Sequence, residues 1–145
     1  MSRSSLAWIY LAAAISLMGV VIHLGAIVGG APWLVFFGAP PFVVESARSG
    51  TLLAPLGSLA IALAMGLCAA YALSAAAYIR RLPLLRLGLA SIASVCLFRA
   101  LVLIPLALLH PAMLNTFEVV AAIIWGLAGV GFALGFFVVR ARPQS

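Results

Sequence analysis

Residues Leu84–Leu109 read LLRLGLASIASVCLFRALVLIPLALL, an apolar run long enough to cross a membrane, with one arginine, Arg99, deep inside it. A helix needs about 20 predominantly apolar residues to span a bilayer. Three further runs reach that length: Leu6–Val28, Leu56–Ile79 and Phe117–Val139. Composition agrees, at 67% hydrophobic and 7% charged, where a soluble domain carries about 25% charged residues. The sequence therefore predicts an all-α polytopic membrane protein, a four-transmembrane-helix bundle forming one integral membrane domain over residues 1–145. Arg3 ahead of the first run resembles the start of a signal peptide. That run exceeds a signal h-region and no A-x-A cleavage site follows, so it reads as an anchored span.

The formal charge of +6 comes from eight arginines against Glu45 and Glu118. Arginines at helix ends orient a membrane protein, so this basic balance implies no nucleic acid. Arg3, Arg80, Arg81, Arg86, Arg140 and Arg142 fall at one set of helix ends and Arg48 at the other. The bias places both termini and the Arg80–Arg86 turn in the cytoplasm, in a bacterial inner membrane. The lipid bilayer is the first partner, with head-group contact the plain reading of RRLPLLR.

Pro83 bars a helical Leu82 and makes spans two and three a hairpin. Spans three and four join through His110–Thr116, where Asn115 or Thr116 can cap the fourth helix and Glu118 suits its positive first turn. The first loop, about residues 29–55, is too apolar for a solvated loop and too broken by Pro32, Pro40 and Pro41 to span. It is expected to be re-entrant or interfacial, an outer cap over the bundle. Gly25–Gly29 and Gly131–Gly135 are both G-x-x-x-G, spacing that lets helices approach closely.

Each span carries small or polar residues along one face. In span one these are Ala12, Ser16, Gly19, His23 and Ala26; in span two Cys68, Tyr71, Ser74 and Tyr78. In span three they are Gly88, Cys96 and Arg99, and in span four Glu118, Ala122, Trp125, Gly129 and Phe132. With the Leu, Ile and Val faces toward lipid, the stripes are expected to converge.

A mid-span arginine costs at least about 2.5–3.5 kcal/mol, so something must offset it. At 1.5 Å per residue, Arg99 lies about 16 Å below the end of an unbroken third span, whereas Glu118 stands at the edge. A direct Arg99–Glu118 pair then requires bending or a bridging water, and Glu45 reaches Arg99 only if the first loop dips inward. Pro105 frees the Leu101 carbonyl and kinks the helix. The expected site is a polar cavity in the outer half of the bundle around Arg99, with His23, Glu45, Tyr71, Glu118 and Cys96 as its other ligand-binding residues. It would take a small amphipathic or anionic molecule, for binding or transport.

Two other classes stand beside that reading. One is a non-catalytic accessory or structural subunit that docks onto another membrane protein or a second copy. The other is an oxidoreductase component using quinone or haem through His23, His110 and the cysteines. Cys68 and Cys96 match no zinc spacing, and there is no nucleotide loop, zincin helix or hydrolase elbow. No catalytic residue, metal or cofactor is expected, and an enzyme is the least supported class.

Overall fold

The computed structural model describes residues 2–111 and 114–141. Arg142, counted above for orientation, and positions 112 and 113 of the turn between spans three and four lie outside the described residues. The described chain is helical, without strands: α1 (Arg3–Phe36), α2 (Pro41–Arg48), α3 (Leu53–Ala75), α4 (Leu85–Leu101), α5 (Leu103–Leu109) and α6 (Thr116–Ala141). Four segments are long and apolar enough to cross a membrane, namely α1, α3, the stretch Leu85–Leu109 and α6. The all-α, four-span prediction therefore holds, with four helices whose length and apolar composition are sufficient to cross a membrane.

Two compact units form, Met1–Ser16 with Cys68–Ser145, and Leu17–Leu67. Helices α1 and α3 each contribute to both. The first unit is built on small residues. Ala12 and Ala13 of α1, Ala72 and Ala75 of α3, Ala93 and Cys96 of α4, and Ala128 of α6 surround the larger Ile9, Leu89 and Phe132. Alanines at these positions let backbones approach, and close packing, in place of solvent exclusion, holds helices together in lipid. The expected G-x-x-x-G contact is found at one of the two sites. Gly131 lies directly against the Trp8 carbonyl and the Ala12 methyl of α1, and Gly135 faces Ala75, Leu89 and Ile9. Of the predicted stripes, Ala12, Ser16, Ser74, Cys96, Ala122 and Phe132 are buried, whereas Tyr78 is 71% exposed.

Side chains close the ends of this unit. Helix α3 stops at Ala75, four residues before the predicted Ile79. The Tyr78 N–H returns to the Leu73 carbonyl and the Ala77 N–H to that of Ser74, with Ala77 in the left-handed region at φ 61°. That is the Schellman stop, made here with alanine in the place glycine usually takes. Buried Ser74 then pins the following loop, accepting the Leu82 N–H at 3.0 Å and donating to the Arg80 carbonyl at 3.2 Å. The Arg86 guanidinium donates to the Val139 and Arg140 carbonyls in the last turn of α6, where a cation meets the negative end of the helix dipole.

The second unit holds most of the loop expected between spans one and two, and it is largely helical. Helix α1 is broken at Gly30, whose φ of 60° and ψ of −148° belong to a region reserved for glycine. Pro32 follows within the first turn after the break, where its missing N–H does no harm. Ile22 and Trp33 would stand about 16 Å apart along a straight helix, yet the Trp33 indole N–H donates to the Ile22 carbonyl at 3.0 Å. The break therefore turns the chain back on itself, and the indole packs over Gly25 and Gly29. The first G-x-x-x-G, read above as a helix–helix contact, is a seat for the chain's own tryptophan.

Gly38 at φ 68° follows the end of α1 and Gly50 at φ 70° the end of α2, with the Ala39 N–H on the Leu34 carbonyl and the Thr51 N–H on that of Ser46. Helix α2 begins on Pro41, a residue pre-set for a first helical turn. Its buried Ser46 bonds Thr51 at 2.6 Å and accepts the Ala54 N–H at 3.0 Å, so a serine of α2 caps the start of α3. Ala26, Leu34, Val44 and Ala54 form the small core beneath.

Candidate functional site

In the first unit, α4 packs along α6. Leu97 fills the space beside Gly129 and Ala100 lies against Gly126, which puts Arg99 level with Leu127, about nine residues or 13 Å from Glu118 along α6. Pro105 has no N–H for the Leu101 carbonyl, and the helix breaks at Val102, between α4 and α5. Beside that break the Arg99 Nη2 donates to the Glu118 Oε2 at 2.8 Å. A direct pair thus forms, and Arg99 takes its carboxylate from Glu118 and not from Glu45. The two side chains are 35% and 27% exposed, so the pair is partly covered. Asn115 caps α6 as expected, accepting the Glu118 N–H on its Oδ1 at 2.9 Å. That fixes the helix turn from which the carboxylate projects.

Two other predicted site residues of this unit serve packing. The Tyr71 ring lies against Gly88, where only a glycine leaves room for it, and its hydroxyl donates to the Pro83 carbonyl at 3.1 Å. It buttresses the hairpin at the end of α4 opposite Arg99. Cys96, at 3% exposure, is part of the apolar core, with Cys68 packed against the same cluster. Both thiols are free. No group of three or more histidine, cysteine or acidic residues that could hold a metal occurs among the described residues.

His23 and Glu45 belong to the second unit, and each lines a separate hollow there. The first is a cavity of about 400 Å³ walled by His23, Trp33, Phe37, Phe42, Ser58 and Ile61 among others. It exists because the Gly30 break folds Trp33 and Phe37 back, while Gly57 and Ala54 of α3 leave the opposite wall low. The indole N–H is already donated to Ile22, so the polar handles of the wall are the His23 ring and the Ser58 hydroxyl. The second is an open groove of about 560 Å³ lined by Val35, Ala39, Pro41, Phe42, Glu45 and Arg48. Ala39 and Phe42 border both hollows.

Sequence reasoning did not single out Trp33, Gly57, Ser58 or Arg48 as site residues. The usable signal was local: glycines at 25 and 29, one turn apart, followed by a Gly30–Pro32 break and a tryptophan one turn further. A folded-back indole fits that spacing as well as a second helix does. Compared with known protein families, with curated proteins and with solved structures, the chain matches none.

Proposed function

We propose that this is a small bacterial inner-membrane protein that binds or transports a small amphipathic molecule, and that the binding site is the cavity of the second unit. The cavity carries this reading. Ligand sites have volumes of about 300–1,000 Å³, mostly apolar walls and a few polar groups that fix orientation. Here the volume is about 400 Å³, and His23 and Ser58 stand among aromatic and aliphatic side chains. Arg99 has a structural role in this reading. Its guanidinium is engaged by Glu118, so an anionic ligand would have to displace a carboxylate tethered to the same chain.

Gly57 offers the test. It lines the cavity, and the first carbon of a side chain added there meets nothing within 4 Å. Gly57→Leu therefore starts into open space, takes up part of the cavity and gains helix propensity of about 1 kcal/mol. Native mass spectrometry of the purified wild-type protein should show a co-purifying small molecule that Gly57→Leu loses, while the thermal melt stays level or rises. Equal bound mass in both proteins would remove the cavity from the mechanism.

The arginine distribution supports an orientation with both termini in the cytoplasm, which places Ser49, in the turn after α2, on the periplasmic side. In a Cys68→Ala, Cys96→Ala background, Ser49→Cys should react with an impermeant maleimide in intact cells. Labelling only after lysis would reverse the orientation.

A further inference from the structure

Glu45 and Arg48 stand one turn apart on α2, both exposed, in a groove otherwise lined by Val35, Ala39, Pro41 and Phe42. At that spacing their side chains are neighbours on one helix face. Even so, the ion pair formed among the described residues is that of Arg99 with Glu118, and Glu45 and Arg48 stay apart. One carboxylate and one guanidinium, one helical turn apart and not joined in an ion pair, are the complement of a zwitterion. Around them the surface is apolar, with Phe42 65% and Phe36 78% exposed, the character of a segment lying among lipid head groups. Phe42 and Ala39 also border the cavity that holds His23, so the charged groove and the apolar cavity share a wall.

We propose that the two hollows form one bipartite site for a zwitterionic phospholipid with a primary ammonium head, as in phosphatidylethanolamine: Glu45 receives the ammonium, Arg48 the phosphate, and an acyl chain passes Phe42 into the cavity. This rests on the cavity reading above and names its ligand. A guanidinium forks onto phosphate oxygens. A carboxylate accepts hydrogen bonds from an ammonium, and a glycerol head has no cation to offer it. The cavity volume suits one chain and not a whole lipid, which leaves the head group in the groove.

The protein reconstituted in vesicles of equal phosphatidylethanolamine and phosphatidylglycerol, extracted in mild detergent and weighed by native mass spectrometry, tests this. Wild type should retain the ethanolamine lipid about tenfold over the glycerol lipid, the contribution of one charge-assisted contact. Glu45→Gln should erase that preference while lipid still binds, and Arg48→Gln should lower retention of both. Both residues are on the exposed face of α2, and an unchanged melt will show that the fold is intact. Equal retention of the two lipids by wild type, or an undiminished preference in Glu45→Gln, overturns the head-group assignment. Gly57→Leu separates the two claims: head-group preference that survives it leaves the groove standing and removes the cavity.

Discussion

Gly131→Leu is expected to keep the first unit from assembling, and even Gly131→Ala should lower its stability measurably. The first added carbon on Gly131 would run into the Trp8 carbonyl oxygen and stand 2.7 Å from the Ala12 methyl carbon. A backbone carbonyl and a methyl have no rotamer to retreat into, so α1 and α6 must separate. Separation strips contacts along the whole seam, where Ile9 and Phe132 are each 1% exposed. Overpacking of this kind costs about 1–3 kcal/mol and at times more; alanine should fall in that range and leucine beyond it. Gly126→Ala is the control, because its new methyl would make an ordinary contact with Ala100 at 3.6 Å. Thermal melts in one detergent should rank wild type and Gly126→Ala together, Gly131→Ala below them, and Gly131→Leu unfolded or aggregated. Four indistinguishable melts would mean that the Trp8–Gly131 contact does not hold the unit together.

The second large effect concerns Arg99 and Glu118, where the double mutant should be more stable than the worse of the two single mutants. Glu118→Leu leaves a guanidinium in an apolar span with no carboxylate to offset it. Arg99→Leu leaves a carboxylate at the helix start, where the helix dipole and nearby water still favour it. Breaking a fully buried pair costs about 3–5 kcal/mol. The partial exposure of this one reduces the expectation to about 1–3 kcal/mol for Glu118→Leu, with Arg99→Leu milder. Replacing both with leucine removes the orphaned charge and suits apolar surroundings, so much of the loss should return. A double-mutant cycle of unfolding free energies, read beside bound mass, is decisive. Purely additive losses would show that the 2.8 Å contact contributes nothing to folding. A bound molecule lost with Arg99→Leu alone would return Arg99 to the ligand site.

The four spans were legible because each needs only an unbroken apolar run, a property of composition. Their ends were less so. The stop at Ala75 depends on Ala77 accepting a left-handed backbone, and no glycine marks it in the sequence. The break near Pro105 could be foreseen from a missing N–H. The Arg99–Glu118 contact could not, because an offset measured along a straight rod made the carboxylate look out of reach. The stripe on the first span was read correctly as inward-facing at Ala12, Ser16 and Ala26, each 6% exposed or less. A stripe, however, does not say which other stripe it meets. His23 was grouped with Arg99 by its stripe and Glu45 by a first loop expected to dip inward, and they line hollows made by a glycine dihedral and a folded-back indole. The cavity is a product of the tertiary path through Gly30, which no periodicity reports.

The make-up of the first unit bears on how the protein is made. Leu17–Leu67 is continuous in sequence, so everything needed for that unit leaves the ribosome in one stretch. The first unit is different: Trp8 and Ala12 emerge near the start, and Gly131, against which they pack, comes close to the end. At roughly 5–20 residues per second, the two are separated by on the order of ten seconds of translation. Throughout that interval the small-residue face of the first helix is in the membrane without its final neighbour, open to any other helix with a glycine to offer. A chain halted before α6 would stay in that state, with Trp8 and Ala12 lacking the glycine they pack against.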